Sequence, residues 1–514
     1  MNETLLPSIA HPSGDAVSQP DSSVALDTFG GLLHVEWEPQ AAVTALGQLP
    51  FFVEFLKTAE LFEPWVEDCP LEYRSPNAPL KRDVLGTVLL SVLAGHRRYA
   101  HISAIRTDGV NPALLGMSKV VSEDSVRRAF QNVEEAAGAE WQRAHLRRCY
   151  EPLLAEPWIL DVDTTVKPLY GHQEGAVVGY NPQKPGRPSH AYHTYFIANL
   201  RLVLDVEVQA GNRTAAKYTS PELFAFLDSL PRERWPRFLR GDNAFGNESV
   251  ITQCEDRQMD YLFKLRKTKK VHDLIERVFS RDDWQEAGKG WQGVESSLRL
   301  TGWNRRRRVI VLRREIEENL AQDEKAAESA QLELAFVETL ECVKKYEYAV
   351  LVTSLEGEIL TLAQHYRDRA DAENPFDELK NHWGWGGFTT RDLKRCQIMA
   401  RHTALIYNWW SLFVRLAIPE KHTEATTSRP LLLHAVAKQT SHSGQRTLRI
   451  SSSHAKSSQV ARTLRQMTAF FARLRASAEQ LDWRAKWRLI LSRIFVKYLG
   501  GRILGAPKTL PAGS

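Results

Sequence analysis

At 514 residues, with 43% apolar and 25% charged side chains, the sequence has the make-up of a soluble globular protein large enough for several cores. Five cysteines at 69, 149, 254, 342 and 396, odd in number and without Cys-x-x-Cys spacing, speak against a disulfide framework or a zinc site and for a reducing, cytoplasmic setting. The net charge of +5 hides an asymmetry: Lys421–Ser514 carries 17 Lys or Arg against three acids, and such a concentration of positive charge calls for a polyanionic partner.

In chain order, residues 1–25 are polar, with Pro, Ser and Gly, and read as a disordered tail without a signal peptide. Residues 26–150 read as a helical domain. Its longest apolar run, Val84 to Gly95, is too short to cross a bilayer and is expected to be a buried helix. Ser122-Glu-Asp-Ser-Val-Arg-Arg-Ala-Phe130 has an N-cap and acids in its first turn. Arg127 and Arg128 on that helix suit either a helix-turn-helix DNA reader or plain helical packing.

From 151 to 420 the pattern turns α/β. Trp158 to Val162 is an apolar strand running into Asp163-Thr164-Thr165. Tyr192 to Asn199 and Leu202 to Val208 form a hairpin, and Arg237 to Arg240 is a short strand entering Gly241-Asp242-Asn243. Residues 270–345 break the pattern and read as an insertion, with an acidic helix-like run from Glu315 to Glu333. Arg391 to Leu416 is a strongly apolar helix whose Tyr407, Trp409 and Trp410 belong to the core. Residues 421–514 read as a basic helical region, loop-like over 420–455.

The densest chemistry lies in Tyr366 to Lys380. On a continuous helix Tyr366, Arg369, Glu373 and Lys380 share a stripe, one acid among two cations and a phenol. Pro375 lacks a donor and disfavours helix at Asn374, which predicts a kink or a new helix start just after Glu373. One Glu cannot hold hard divalent ions alone; these take carboxylates from several segments. Asp242 and the Asp161/Asp163 pair are the other candidates. The two-residue strand period puts Asp161 and Asp163 on one face and does not choose between them. His190 and His193 are better read as strand polar groups than as ligands, and Trp291 and Trp303 as packing. No Gly-rich phosphate loop is present, so no ATP use is expected.

These residues carry a resemblance. Asp163-Thr-Thr, Arg240-Gly-Asp242-Asn-Ala-Phe-Gly246 and Tyr-x₂-Arg-x₃-Glu-x₆-Lys over 366–380 resemble the three acid motifs of bacterial insertion-sequence DDE transposases with a Tyr-Arg-Glu-Lys signature, the insertion-sequence-4-like group and most closely its insertion-sequence-1380 type. Gly171-His-Gln-Glu-Gly175 and Gly179-Tyr-Asn181 add to the likeness, which covers roughly residues 40–420.

The resemblance implies an RNase H-like mixed-sheet catalytic core (151–420) with a strand-rich insertion, flanked by helical N- and C-terminal domains, the first of them DNA-binding. It selects Asp163 over Asp161, because the family's acid directly precedes the Thr pair. Asp163, Asp242 and Glu373 would be the catalytic, metal-holding acids for two Mg²⁺ or Mn²⁺ ions, with Tyr366, Arg369 and Lys380 on DNA phosphates. The implied activity is cut-and-paste transposition on terminal inverted repeats and target DNA, by a homodimer, with no membrane role, at the bacterial nucleoid. A nuclease or resolvase that cuts without joining is the alternative, as is a DNA-binding derivative that has lost catalysis.

Overall fold

The computed structural model describes residues 24–38, 41–73, 75–181, 184–213, 215–316, 345–420, 422–476 and 481–505; of residues 215–220 and 370–373 it describes the backbone alone. The proposed tail 1–25 therefore lies outside the described residues, except Val24 and Ala25.

A ten-stranded mixed sheet organises the molecule. Before it in the chain come a hairpin of β1 (Val24–Thr28) and β2 (Gly31–Val35), the short β3 (Val43–Thr44), and a set of helices ending with Glu135–Tyr150. The sheet's own strands are β4 (Ile159–Pro168), β5 (Val177–Val178), β6 (Pro188–Ile197), β7 (Leu202–Ala210), β8 (Phe238–Gly241), β9 (Tyr261–Lys264), β10 (Gln285–Gly288), β11 (Trp291–Leu298), β12 (Arg307–Glu315) and β13 (Tyr346–Thr353). They lie in the order β10-β11-β12-β13-β9-β8-β4-β6-β5, with β7 also paired to β6.

β4, β6 and β7 form an antiparallel meander, while β8 and β9 run parallel to β4. The first half of β4 is buried on both faces, as a central strand must be. That is why Leu160 and Val162 alternate with a buried Asp161 rather than with solvated polar groups. The strand also runs further than its apolar stretch predicts. It continues through Thr164 to Pro168 because it keeps pairing with β6, whereas its other neighbour β8 stops at Gly241. Asp163 thus sits inside β4, where one of its two ladders ends.

The segment read as an insertion extends the same sheet. β10 to β12 form a meander, β12 pairs with β13, and β13 joins β9 antiparallel. Most of the acidic run Glu315–Glu333 lies outside the described residues.

The helix Leu393–Ala417, 25 residues long, is almost wholly buried. It lies along β7 and covers that exposed sheet edge with side chains: Asn408 accepts from Val203 N and donates to Val203 O, and Gln397 accepts from Val208 N. Tyr407, Trp409 and Trp410 are all core residues.

The C-terminal region departs from the helical, loop-led reading. After a helix at Ala425–Leu432, strands β14 (Val436–His442) and β15 (Gln445–Ser451) form a hairpin, and β14 also pairs with β3. The sequence signal was hidden because Ser, Thr and His mask an alternation that has no apolar face. Only then do two helices follow, Ser457–Ala476 and Trp483–Ile494. They pack on the early helix Leu49–Thr58, with Phe471 and Trp487 each 6.4 Å from Phe55 between ring centroids. Among the described residues no helix is long and apolar enough to cross a membrane.

Candidate active site

The site begins with the parallel pairing of β4 and β8. Asp161 is in register with Arg240, and Val162 with Gly241, so the next residues of the two segments are Asp163 and Asp242. Gly241 is required here, because a Cβ would fall 2.9 Å from the Phe245 ring that closes the following turn. Asp242 starts that turn, its Oδ1 accepting from Ala244 N at 3.0 Å.

The two acids of β4, which periodicity leaves equivalent, have different partners. Asp161 is 1% exposed and takes a two-point grip from the equally buried Arg240, Nε to Oδ1 at 2.6 Å and Nη2 to Oδ2 at 2.8 Å. Arg240 Nη1 also donates to the His365 carbonyl. That fork neutralises Asp161 and ties β4, β8 and the end of the helix Ile359–Arg367 together. Arg240 had no role assigned from sequence. Its signal was an Arg inside a short buried strand, which needs an anionic partner nearby.

Asp163 keeps 22% of its side chain exposed and pairs with Arg369, Nη2 to Oδ1 at 2.9 Å. Burial alone would push the Arg369 guanidinium down. The negative charge of Asp163 leads the effects that hold it above its ordinary value, followed by Tyr366, Asp161 and Asp242. Arg369 therefore lies within electrostatic reach of both candidate aspartates.

The motif is not one continuous helical stripe. One helix ends at Arg367, and the next runs from Ala370 to His382 with Arg369 at its N-cap. The break precedes Glu373 instead of following it, and Pro375 lies inside the second helix. Pro375 is the sixth residue of that helix and has no N–H to give the Asp371 carbonyl, so the break at Asp368–Arg369 does not relieve the cost of the missing donor. The break frees Arg369 to turn toward Asp163.

Glu373 lies about one helical turn beyond Arg369; its side chain is outside the described residues. Its helix packs over the face of the sheet that carries the acids: Phe376 meets Phe196 at 5.4 Å between ring centroids, and Phe196 is in register with Asp161. Tyr366 packs against a small cluster that includes Phe238, Ile359 and Leu362. Lys380, in the last turn, is partly exposed and makes no ion pair among the described residues.

Arg127 is held by its own helix, 3.6 Å from Glu123 and 3.4 Å from Asp124, and lies over the Tyr99 ring at 5.1 Å. Arg128 is exposed. The Ser122 cap forms as its spacing predicts, accepting from Ser125 N. His190 and His193 are fully buried in β6. Burial pushes His193 down to about 4, and its Nδ1 meets the Thr164 hydroxyl at 3.0 Å. Among the described residues, which do not include the Glu373 side chain, no three His, Cys, Asp or Glu side chains gather as a metal cluster.

Residues 76–471 match the family described as transposase DDE domain group 1. Among solved structures the chain is similar to a piggyBac transposase synaptic complex with hairpin DNA, at 11% identity and a TM-score of 0.39, over 92% of this chain and 87% of that chain. No curated protein matches the sequence. DDE transposases generally use divalent metals, in keeping with carboxylates as the central groups. With its match running over most of its length, the chain belongs to the DDE transposase family and is a DDE-type DNA transposase.

Proposed function

We propose that the protein is an insertion-sequence transposase of the Tyr-Arg-Glu-Lys type, built on an RNase H-like core, which cuts at element ends and joins them to target DNA. The observation that carries this reading is the β4–β8 register, which sets Asp163 beside Asp242, together with the Arg369 contact that brings the Tyr366–Lys380 motif to the same place. The meander followed by two parallel strands, β7-β6-β4-β8-β9, supports the RNase H-like assignment.

Asp163, Asp242 and Glu373 are the groups that would hold the metal. Carboxylate oxygens suit a hard divalent cation, and Asp161, committed to Arg240, is not available to it. When bound, a pair of Mg²⁺ or Mn²⁺ ions would supply activation of the attacking oxygen and charge stabilisation of the leaving one. The chain's own residues do the remaining work. Arg369, expected from the resemblance on a DNA phosphate, is 5% exposed and paired with Asp163, so in this reading it offsets the crowded negative charge of the aspartates and orients Asp163 instead. Tyr366 and Lys380 would contribute a hydroxyl and a point charge to backbone phosphates. Terminal inverted repeats, target DNA and a homodimer at synapsis, in a bacterial cytoplasm, belong to the same proposal.

The test starts from genomic DNA on either side of the coding sequence. Terminal inverted repeats are expected there, and a duplex carrying one should be cut by the purified chain with Mg²⁺. Pre-cut ends should then be joined to a plasmid. Cutting without joining would favour a nuclease or resolvase, and binding without either a derivative that has lost catalysis.

A further inference from the structure

The hairpin of β14 and β15 is exposed along nearly its whole length. Its base is anchored by the pairing of β14 with β3, but beyond Gln439 the ribbon is two-stranded and gains little from its own packing, so the persistence of its outer part asks for a reason outside the core. It is closed by a two-residue loop, Ser443–Gly444, with both residues at positive φ (50° and 77°). That is the geometry of a tight type I′ turn, which continues the strands' twist and keeps the tip narrow. Cross-strand register sets Lys438 opposite Arg449, Thr440 opposite Thr447 and His442 opposite Gln445 on one face, with Arg446 on the other. All are side chains that hydrogen-bond to phosphates or base edges.

Charge decides the partner. From Ala425 to Ala478 there is no Asp or Glu at all. Lys438 comes only within 3.8 Å of an exposed carboxylate, Glu38, and Arg449 donates to Thr440 at 3.3 Å. Arg446 makes no ion pair among the described residues. Cations on an edge strand also discourage pairing between copies, but that role does not require acids to be missing from the whole segment.

We propose that the β14–β15 ribbon is a DNA-docking element that enters a groove of duplex DNA, with Lys438, Arg446 and Arg449 on the phosphates along its walls. Strands of seven residues reach roughly 24 Å at about 3.4 Å per residue, and the major groove, about 12 Å wide, admits a two-stranded ribbon. The inference rests on DNA being the substrate, and it names a docking surface apart from the acids.

The test compares full-length proteins by fluorescence anisotropy on a labelled mixed-sequence duplex across a salt series. One variant carries Lys438→Gln, Arg446→Gln and Arg449→Gln. A charge-matched control carries Lys289→Gln, Arg306→Gln and Lys345→Gln, at exposed positions elsewhere. The ribbon variant should lower the slope of log affinity against log salt by roughly 2–3, since each phosphate contact contributes about 0.9, and the control by less than about 1. Equal losses in the two would reduce the effect to net charge and overturn the proposal. A photo-crosslinker placed at Gln445 provides a second measurement: crosslinks to DNA are expected, and their absence while the protein binds DNA overturns it. Wild-type protein that failed to bind duplex DNA would count instead against the DNA-transposition reading.

Discussion

Arg369 and Asp163 lie 206 residues apart in the chain and meet at 2.9 Å. A cation from the third motif thereby compensates an acid from the first, at the position where the β4–β8 ladder ends. Because Arg369 is nearly buried, removing one partner is expected to cost more than removing both. Arg369→Leu should destabilise the protein by about 2–3 kcal/mol, and adding Asp163→Asn should restore part of that loss. Urea unfolding midpoints for the two singles and the double check this. Strictly additive effects would mean that the pair is not coupled.

Asp163→Asn, Asp242→Asn and Glu373→Gln should each lower DNA-strand cleavage by a factor on the order of 10²–10³ or more. Binding to the element end should change little. The measurement is a cleavage time course beside a mobility-shift titration. Any one variant that still cuts with Mg²⁺ takes its residue out of the site.

Asp161→Asn should behave differently, although it stands two residues from Asp163. Its carboxylate is engaged by Arg240 in the interior, so the loss should appear as stability, about 3–5 kcal/mol from leaving a buried charge without its partner. Thermal unfolding monitored by circular dichroism reads this directly. A variant of native stability with dead chemistry would make Asp161 a catalytic acid instead.

A second buried ion cluster gives a pH prediction. Asp205, on β7, accepts from Arg143 at 2.7 Å and from Arg401, on the long helix, at 2.8 Å. Burial pushes its carboxyl up, but the two guanidinium groups outweigh it and hold it below the ordinary 3.8. A carboxylate depressed in the folded state contributes stability above its unfolded value, and that contribution is lost as pH falls through the folded one. Arg401→Met should therefore cost about 3–5 kcal/mol at neutral pH. Glu207 shares both guanidinium groups and is pushed up to about 7 by burial and by Asp205, so the gap to wild type should begin to narrow as pH falls through about 7 and narrow further below the ordinary carboxylate range, where Asp205 protonates. Denaturant titrations at several pH values test it; a gap that stays constant with pH would deny the linkage.

Local pattern carried the strands of the meander, the buried long helix and the Ser122 cap, because each depends on residues a few positions apart. The three acid motifs rest on the same kind of signal, short stretches of fixed spacing, and their role as metal-holding groups stays with the proposed function. What local pattern could not decide were the matters settled by partners distant in sequence. Asp161 and Asp163 look alike along a strand, and only the β4–β8 register brings Arg240 to the first and leaves the second to Arg369. The helix break at Asp368–Arg369 was read on the wrong side of Glu373, since Pro375 limits where a helix can pass but not where the chain must turn to reach another strand. The β14–β15 ribbon was hidden for a related reason: a strand pair exposed on both faces writes no apolar alternation, and only its pairing across a tight turn makes it visible. Side-chain type and spacing determine which chemistry the chain can carry; charge compensation and strand pairing, which at the acids join residues 79 and 206 positions apart, determine which of those side chains are left to perform it.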